Sequence, residues 1–148
     1  TVTETMVKSL KLLGIKTPKI AFLSASELVM ENMESTVVAQ NLKEWAKENI
    51  RDAFFSGPLA LDLIISREAA LKKGLEKDPV AGQSDGIVVP EIVSGNTLYK
   101  SLVYFAGGCA AGIVLGAKVP VLLTSRADPP EARLASIALA TILSAEMP

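Results

Sequence analysis

Apolar positions divide the chain into short β-branched runs and longer stretches with helical spacing. Val2, Met6, Leu10 and Leu13 share one face, and Gly14 stops that helix. Lys19 to Leu23 reads as a strand, with Ser24-Ala25-Ser26 as the loop at its C-terminal end. Ser35 or Thr36 is expected to cap a helix running to Asn49, with Val37, Leu42 and Trp45 inward. Arg51 to Phe55 is the second strand candidate, followed by Gly57-Pro58-Leu59-Ala60-Leu61-Asp62. Ser66 caps a short helix that ends at Gly74, and Asp78-Pro79 begins the next turn. Ile87-Val88-Val89 has the make-up of a parallel strand buried on both faces, and Pro90 cannot extend its ladder.

Beyond Pro90, Ser94-Gly95-Asn96 is expected to open a helix on which Leu98, Leu102 and Phe105 recur at helical spacing and which ends at Gly107-Gly108. Gly112–Leu115 and Val119–Leu123 are further strand candidates. Asp128 as N-cap, Pro129 at the first helical position and Glu131 at the third predict a final helix from Pro129 to Ala145, burying Leu134, Ile137, Ala138 and Ile142. The alternation implies a single α/β domain over residues 1–148. A mostly parallel sheet should carry helices on both faces, with Ile87–Val89, Ile113–Leu115 and Val121–Leu123 central. In such sheets ligands gather beyond the strands' C-terminal ends. Free amides at Gly95, Asn96 and Thr97 would make the Ser94-Gly95-Asn96 turn an anion site. The Ser24 loop lies at the same kind of position.

Composition narrows the functional classes. The chain has 148 residues, enough for a real core, and is 49% hydrophobic with only 5% aromatic residues, which suits an α/β layer protein. A net charge of −1 supplies no field for nucleic acid. Histidine is absent, which excludes a histidine-based nucleophile or metal site within this chain. The single cysteine, Cys109, sits among small residues in GGCAAG and is expected as a buried thiol in a reducing cytoplasm. The N-terminal residues are polar and acidic, unlike a signal peptide, and the uncharged run from Ser101 to Ala117 is short for a membrane span.

Two nucleotide fingerprints are missing: there is no G-x-G-x-x-G, and Gly107 to Gly112 lacks the Lys-Ser/Thr of a P-loop. The acidic residues do not cluster as metal ligands. Thr124-Ser125-Arg126 follows an apolar strand and precedes a strongly capped helix, placing a hydroxyl and a planar guanidinium at the ligand end of the sheet. A polar loop whose arginine pairs with a nearby acid would have the same composition.

The stretch VAGQSDGIVVPEIVSGNTLYKSLVYFAGG, with LSASE at 23–27, GPLALD at 57–62 and GAKVPVLLTSRAD at 116–128, resembles the phosphate acetyl/butyryl transferase family, nearer its butyryl branch. The resemblance covers nearly the whole chain. Family members run to roughly twice this length, so the chain corresponds to a C-terminal half whose last helix, 129–148, is expected to pack on the N-terminal domain. The fold implied is the layered architecture of isocitrate and isopropylmalate dehydrogenases. The activity implied is acyl transfer between coenzyme A and inorganic phosphate, with coenzyme A as co-substrate, no bound cofactor or metal, and a homodimeric cytoplasmic enzyme. No nucleic acid or membrane partner is implied. By resemblance Ser125 polarises the reacting carbonyl, Arg126 holds anionic groups, and Asp128 or Glu131 is the base for the thiol. Ser94, Gly95, Asn96, Ser24 and Asp62 are the candidate cofactor-binding positions. Two rivals stand beside this reading: a half-domain that folds or dimerises without a complete site, and another enzyme of the same architecture, such as a hydroxy-acid dehydrogenase.

Overall fold

The computed structural model describes residues 1–124 and 128–144. Two compact units divide the chain, Thr1–Ile92 and Val93–Pro148. In the first, α1 (Val2–Leu12) precedes β1 (Lys19–Leu23), α2 (Glu34–Asn49), β2 (Phe54–Leu59), α3 (Leu61–Ile65), α4 (Arg67–Lys72) and β3 (Gly86–Val88). The strands form a parallel sheet in the order β2-β1-β3. Central β1 alternates its side chains between two apolar layers. Ile20 and Phe22 pack with Val7, Ala39, Ala46 and Phe55 beneath α1 and α2. Ala21 faces the opposite layer, with Leu59, Leu63, Ile64, Ala70, Val80 and Ala81. Helices therefore cover both faces of an α/β sheet.

Four local expectations in this unit shift, the first being β3, which lies at an edge of the sheet with half-buried residues rather than centrally and buried on both faces. Strand β2 begins at Phe54 rather than Arg51 and continues through Gly57-Pro58. Proline is tolerated because β2 is an edge strand. The ladder steps from Ala21↔Ser56 to Leu23↔Leu59, so β2 carries one extra residue, a β-bulge. A side chain at Gly57 would sit 2.7 Å from Phe22 Cβ, so only glycine fits the bulge. Helix α2 has Met33 at its N-cap with no side-chain cap. Thr36, instead of capping, accepts from the Met30 amide at 2.9 Å and donates to the Met33 carbonyl at 2.7 Å, which ties down the preceding loop. Ala39 and Ala46 form the fully buried stripe, with Leu42 and Trp45 flanking it.

The second unit departs further from expectation. Helix α5 spans Ile92–Tyr104, so it opens three to four residues before Gly95 and straddles the boundary between the units. β4 (Ile113–Val114) and β5 (Val121–Leu122) pair antiparallel with each other, as a separate two-stranded ribbon rather than as central strands of a parallel sheet. The connection dictates this outcome, because parallel neighbours need a crossover of about a dozen residues or more. α6 (Pro130–Ser144) starts one residue later than expected, with Pro130 as its first helical residue. Its buried face is Ala132, Ser136 and Leu143, whereas Leu134, Ile137, Ala138 and Ile142 are exposed. Small residues let α6 close on the ribbon: Ser136 Oγ accepts from the Gly112 amide at 3.0 Å and donates to the Ala132 carbonyl at 2.8 Å. No residue of α5 is buried; Leu102 is exposed and Phe105, just beyond the helix, is 90% exposed. Cys109 is exposed, contrary to the buried thiol expected from its small neighbours, because GGCAAG is irregular backbone between α5 and β4 rather than core. Among the described residues no helix is long and apolar enough to cross a membrane.

The loop from α4 to β3 is held by polar bonds. Asp78 accepts from the amides of Val80 and Ala81 at 2.8 and 2.9 Å. Arg67 donates to the carbonyls of Ala81 and Glu76 at 3.1 and 2.8 Å. Gly82 has φ +71°, and a Cβ there would lie 2.4 Å from the Arg67 Cα. Gly82→Ala combines left-handed strain with a backbone clash and should destabilise the fold by about 2–4 kcal/mol. Chemical denaturation checks this, and a loss below about 0.5 kcal/mol would place Gly82 among ordinary surface positions.

Candidate active site

Parallel pairing brings the C-terminal ends of β1, β2 and β3 to one edge of the first unit, where an α/β sheet presents ligands. Ser24 follows β1 there. Its amide donates to the Leu59 carbonyl at 2.8 Å, and its buried hydroxyl shares a 2.8 Å hydrogen bond with that of Ser35. Asp62 lies in the first turn of α3, beyond the end of β2, and is exposed. These two predicted positions thus share the sheet's C-terminal edge.

A third group at this edge is not singled out by spacing alone. Lys73 Nζ, just past α4, pairs with Glu27 Oε1 of the loop after β1 at 2.9 Å. The Lys72-Lys73 doublet reads in sequence as a solvated face, and Lys72 does stay on it, pairing with Glu68 one turn away. Lys73 instead bridges two segments. Glu27 is the last residue of LSASE, so the available signal was the motif and not the charge pattern. The hydrogen bond from Lys73 holds the Glu27 carboxyl below its ordinary value. Glu27 in turn raises Lys73, with a smaller electrostatic contribution from Asp62.

The remaining candidates belong to the second unit. Ser94, Gly95 and Asn96 lie inside the first turns of α5 and not in the turn before it. The amides of Gly95, Asn96 and Thr97 therefore fall where the helix's own ladder uses them, which removes the predicted free-amide cradle. Asp128 is buried and stands two residues before α6, while Glu131 is exposed in its first turn. With Pro130 opening the helix, Asp128 is not the N-cap and Glu131 is not at the third position. Ser125 and Arg126 lie outside the described residues.

Residues 1–141 match the family model described as phosphate acetyl/butaryl transferase. The chain belongs to this family. It is 42% identical over 142 residues to a phosphate acetyltransferase of Thermotoga maritima, covering 95% of this chain and 48% of that protein. A probable phosphate butyryltransferase of Bacillus subtilis is 48% identical over 134 residues, covering 90% and 44% respectively. The crystal structure of a branched-chain phosphotransacylase from Enterococcus faecalis superposes with a TM-score of 0.83 at 40% identity, over 92% of this chain and 49% of that one. The chain therefore spans about half the length of the relatives it matches.

The Glu27–Lys73 pair has a defined pH window. A carboxyl with a depressed folded pKa adds stability above its unfolded value, and that stability is lost as pH falls through the folded value. An ammonium with a raised folded pKa adds stability below its unfolded value, lost as pH rises through the folded one. Glu27→Gln should therefore lower the melting temperature slightly near neutral pH, and the difference from wild type should vanish in acid. Thermal melts across the acid range check this; a difference that persists once the Glu27 carboxyl of the wild type is protonated would mean that Glu27 acts through packing.

Proposed function

We propose that the protein to which this chain belongs transfers an acyl group between coenzyme A and inorganic phosphate. The family match over residues 1–141 carries the reading. In the acyl phosphate-consuming direction, the coenzyme A sulfur attacks the acyl carbonyl, the carbon–oxygen bond to phosphate breaks, and phosphate leaves with the bond's electron pair. The thiol proton passes to a base, which helps because a free thiol is mostly protonated near pH 7. Ser125 donates to the carbonyl oxygen as it gains charge, Arg126 holds anionic substrate groups with its planar fork, and Asp128 or Glu131 takes the proton. The family reading assigns substrate binding to Ser24 and Asp62 in the first unit and to Ser94, Gly95 and Asn96 in the second. Coenzyme A is a co-substrate, and the scheme needs no resident cofactor or metal.

The same reading makes this chain the C-terminal half of an enzyme with the layered isocitrate/isopropylmalate dehydrogenase architecture, dimeric and cytoplasmic. The second unit supports it. Its Phe105, Val119, Leu123 and Leu134 each leave most of their apolar surface in water. An N-terminal half packing on α6 and the β4–β5 ribbon would bury it. The unpaired thiol of Cys109 is compatible with a reducing compartment. A half-domain without turnover of its own is the second reading, favoured by the chain's coverage of only 48% of the Thermotoga relative.

The test uses the full-length enzyme. Ser125→Ala should lower kcat by about 10²–10³-fold, the usual cost of one donor aimed at developing charge. Arg126→Lys keeps the charge but loses the fork, so kcat/KM should fall clearly. Activity per folded molecule that survives both changes within a few fold would remove the two residues from the site.

A further inference from the structure

The loop after β1 is fastened at both ends and, at its crown, by one side chain. Ser24 fixes its start, through its amide to the Leu59 carbonyl and its hydroxyl to that of Ser35. Thr36 fixes its end by accepting from the Met30 amide. Between these points, Ala25 to Val29 form neither helix nor strand. Leu28 and Val29 are 65% and 51% exposed, so apolar packing does little to hold them. The Leu28 amide bonds Ser26 Oγ within the loop. Among the described residues, the hydrogen bond that ties this crown to another segment is the one between Glu27 and Lys73, 46 positions along the chain.

The far end of the tie is rigid. Lys73 caps α4, and its amide donates to the Ala69 and Ala70 carbonyls at 3.2 Å. Ala70 is fully buried in one apolar cluster with Leu63 and Ile64 of α3, which fixes α4 to the helix whose first turn carries Asp62. The ion pair therefore joins the segment that follows Ser24 to the helices that follow β2. The neighbouring pair, Lys72 with Glu68, stays within α4 and joins no segments.

We propose that Glu27 and Lys73 are positioning residues for coenzyme A: their ion pair holds the loop after β1 against α3 and α4 in the conformation that binds it. The inference rests on the acyl-transfer reading, which assigns Ser24 and Asp62 to substrate binding. Neither residue needs to touch the ligand, because a competent loop that is populated less often lowers apparent affinity in proportion. Equilibrium dialysis of coenzyme A against the full-length enzyme tests this, with kinetics alongside. Glu27→Gln and Lys73→Met should each weaken binding about two- to fivefold, the range an exposed ion pair commands. The loss should appear in KM for coenzyme A rather than in kcat. The double variant should bind no more weakly than either single one, since both remove the same contact. Lys73→Arg keeps charge and reach and should bind like wild type. Glu68→Gln removes an equal charge from the neighbouring pair and should change nothing, which separates the tie from bulk charge. Hydrogen exchange over residues 25–29 should quicken in Glu27→Gln and not in Glu68→Gln. Unchanged affinity or unchanged exchange in Glu27→Gln, additive losses in the double variant, a loss in Lys73→Arg as large as in Lys73→Met, or an equal loss in Glu68→Gln would overturn the proposal. Failure of wild-type turnover with phosphate would strike the acyl-transfer reading instead, so the two are told apart.

Discussion

Strand β1 is paired on both edges, and the first unit depends on that double pairing. Ile20, Ala21 and Phe22 are almost wholly removed from water, each facing a layer of helices. Burying a side chain of the size of isoleucine or phenylalanine contributes roughly 1.5–3 kcal/mol, so three consecutive buried positions anchor a substantial part of the core. The same pairing sets the direction of every strand. Because β2 and β3 both run parallel to β1, the loops after all three emerge at one edge. Ser24, Glu27, Asp62 and Lys73 meet at that edge through topology and not through closeness in sequence.

How much of this was legible follows the strength of the local signals. α1, β1, α4 and β3 carry clear punctuation at Gly14, Ser24, Ser66 and Pro90, and they appear within a residue or two of where the pattern puts them. Gly57-Pro58 falls inside β2 and not after it, because an edge strand with a bulge absorbs both residues. The β4–β5 ribbon was mistaken for parallel strands because β-branched composition reports burial potential, not direction; its short connection held the information. The aliphatic stripe of α6 is expected inward because periodicity finds a stripe without saying what covers it. In α6 the small residues Ala132 and Ser136 face the ribbon, and the larger aliphatic stripe faces away.

The site was legible in a different way. Spacing placed hydroxyls and an arginine at strand ends, but their roles came from family motifs. The Lys73–Glu27 bridge depends on a contact between segments far apart in sequence, which no local pattern encodes. Lys73 illustrates this: its doublet with Lys72 looks like one surface feature, yet the two side chains have unrelated partners.

Acyl transfer to phosphate is the central claim, and its products distinguish it from every neighbouring chemistry. The direct measurement follows free thiol and acyl phosphate together when the full-length enzyme meets acyl-coenzyme A, with and without inorganic phosphate. The account predicts that thiol release requires phosphate and that one acyl phosphate appears for each thiol. Thiol release that proceeds without phosphate and yields only free carboxylate would mean that water is the acceptor, and would contradict it.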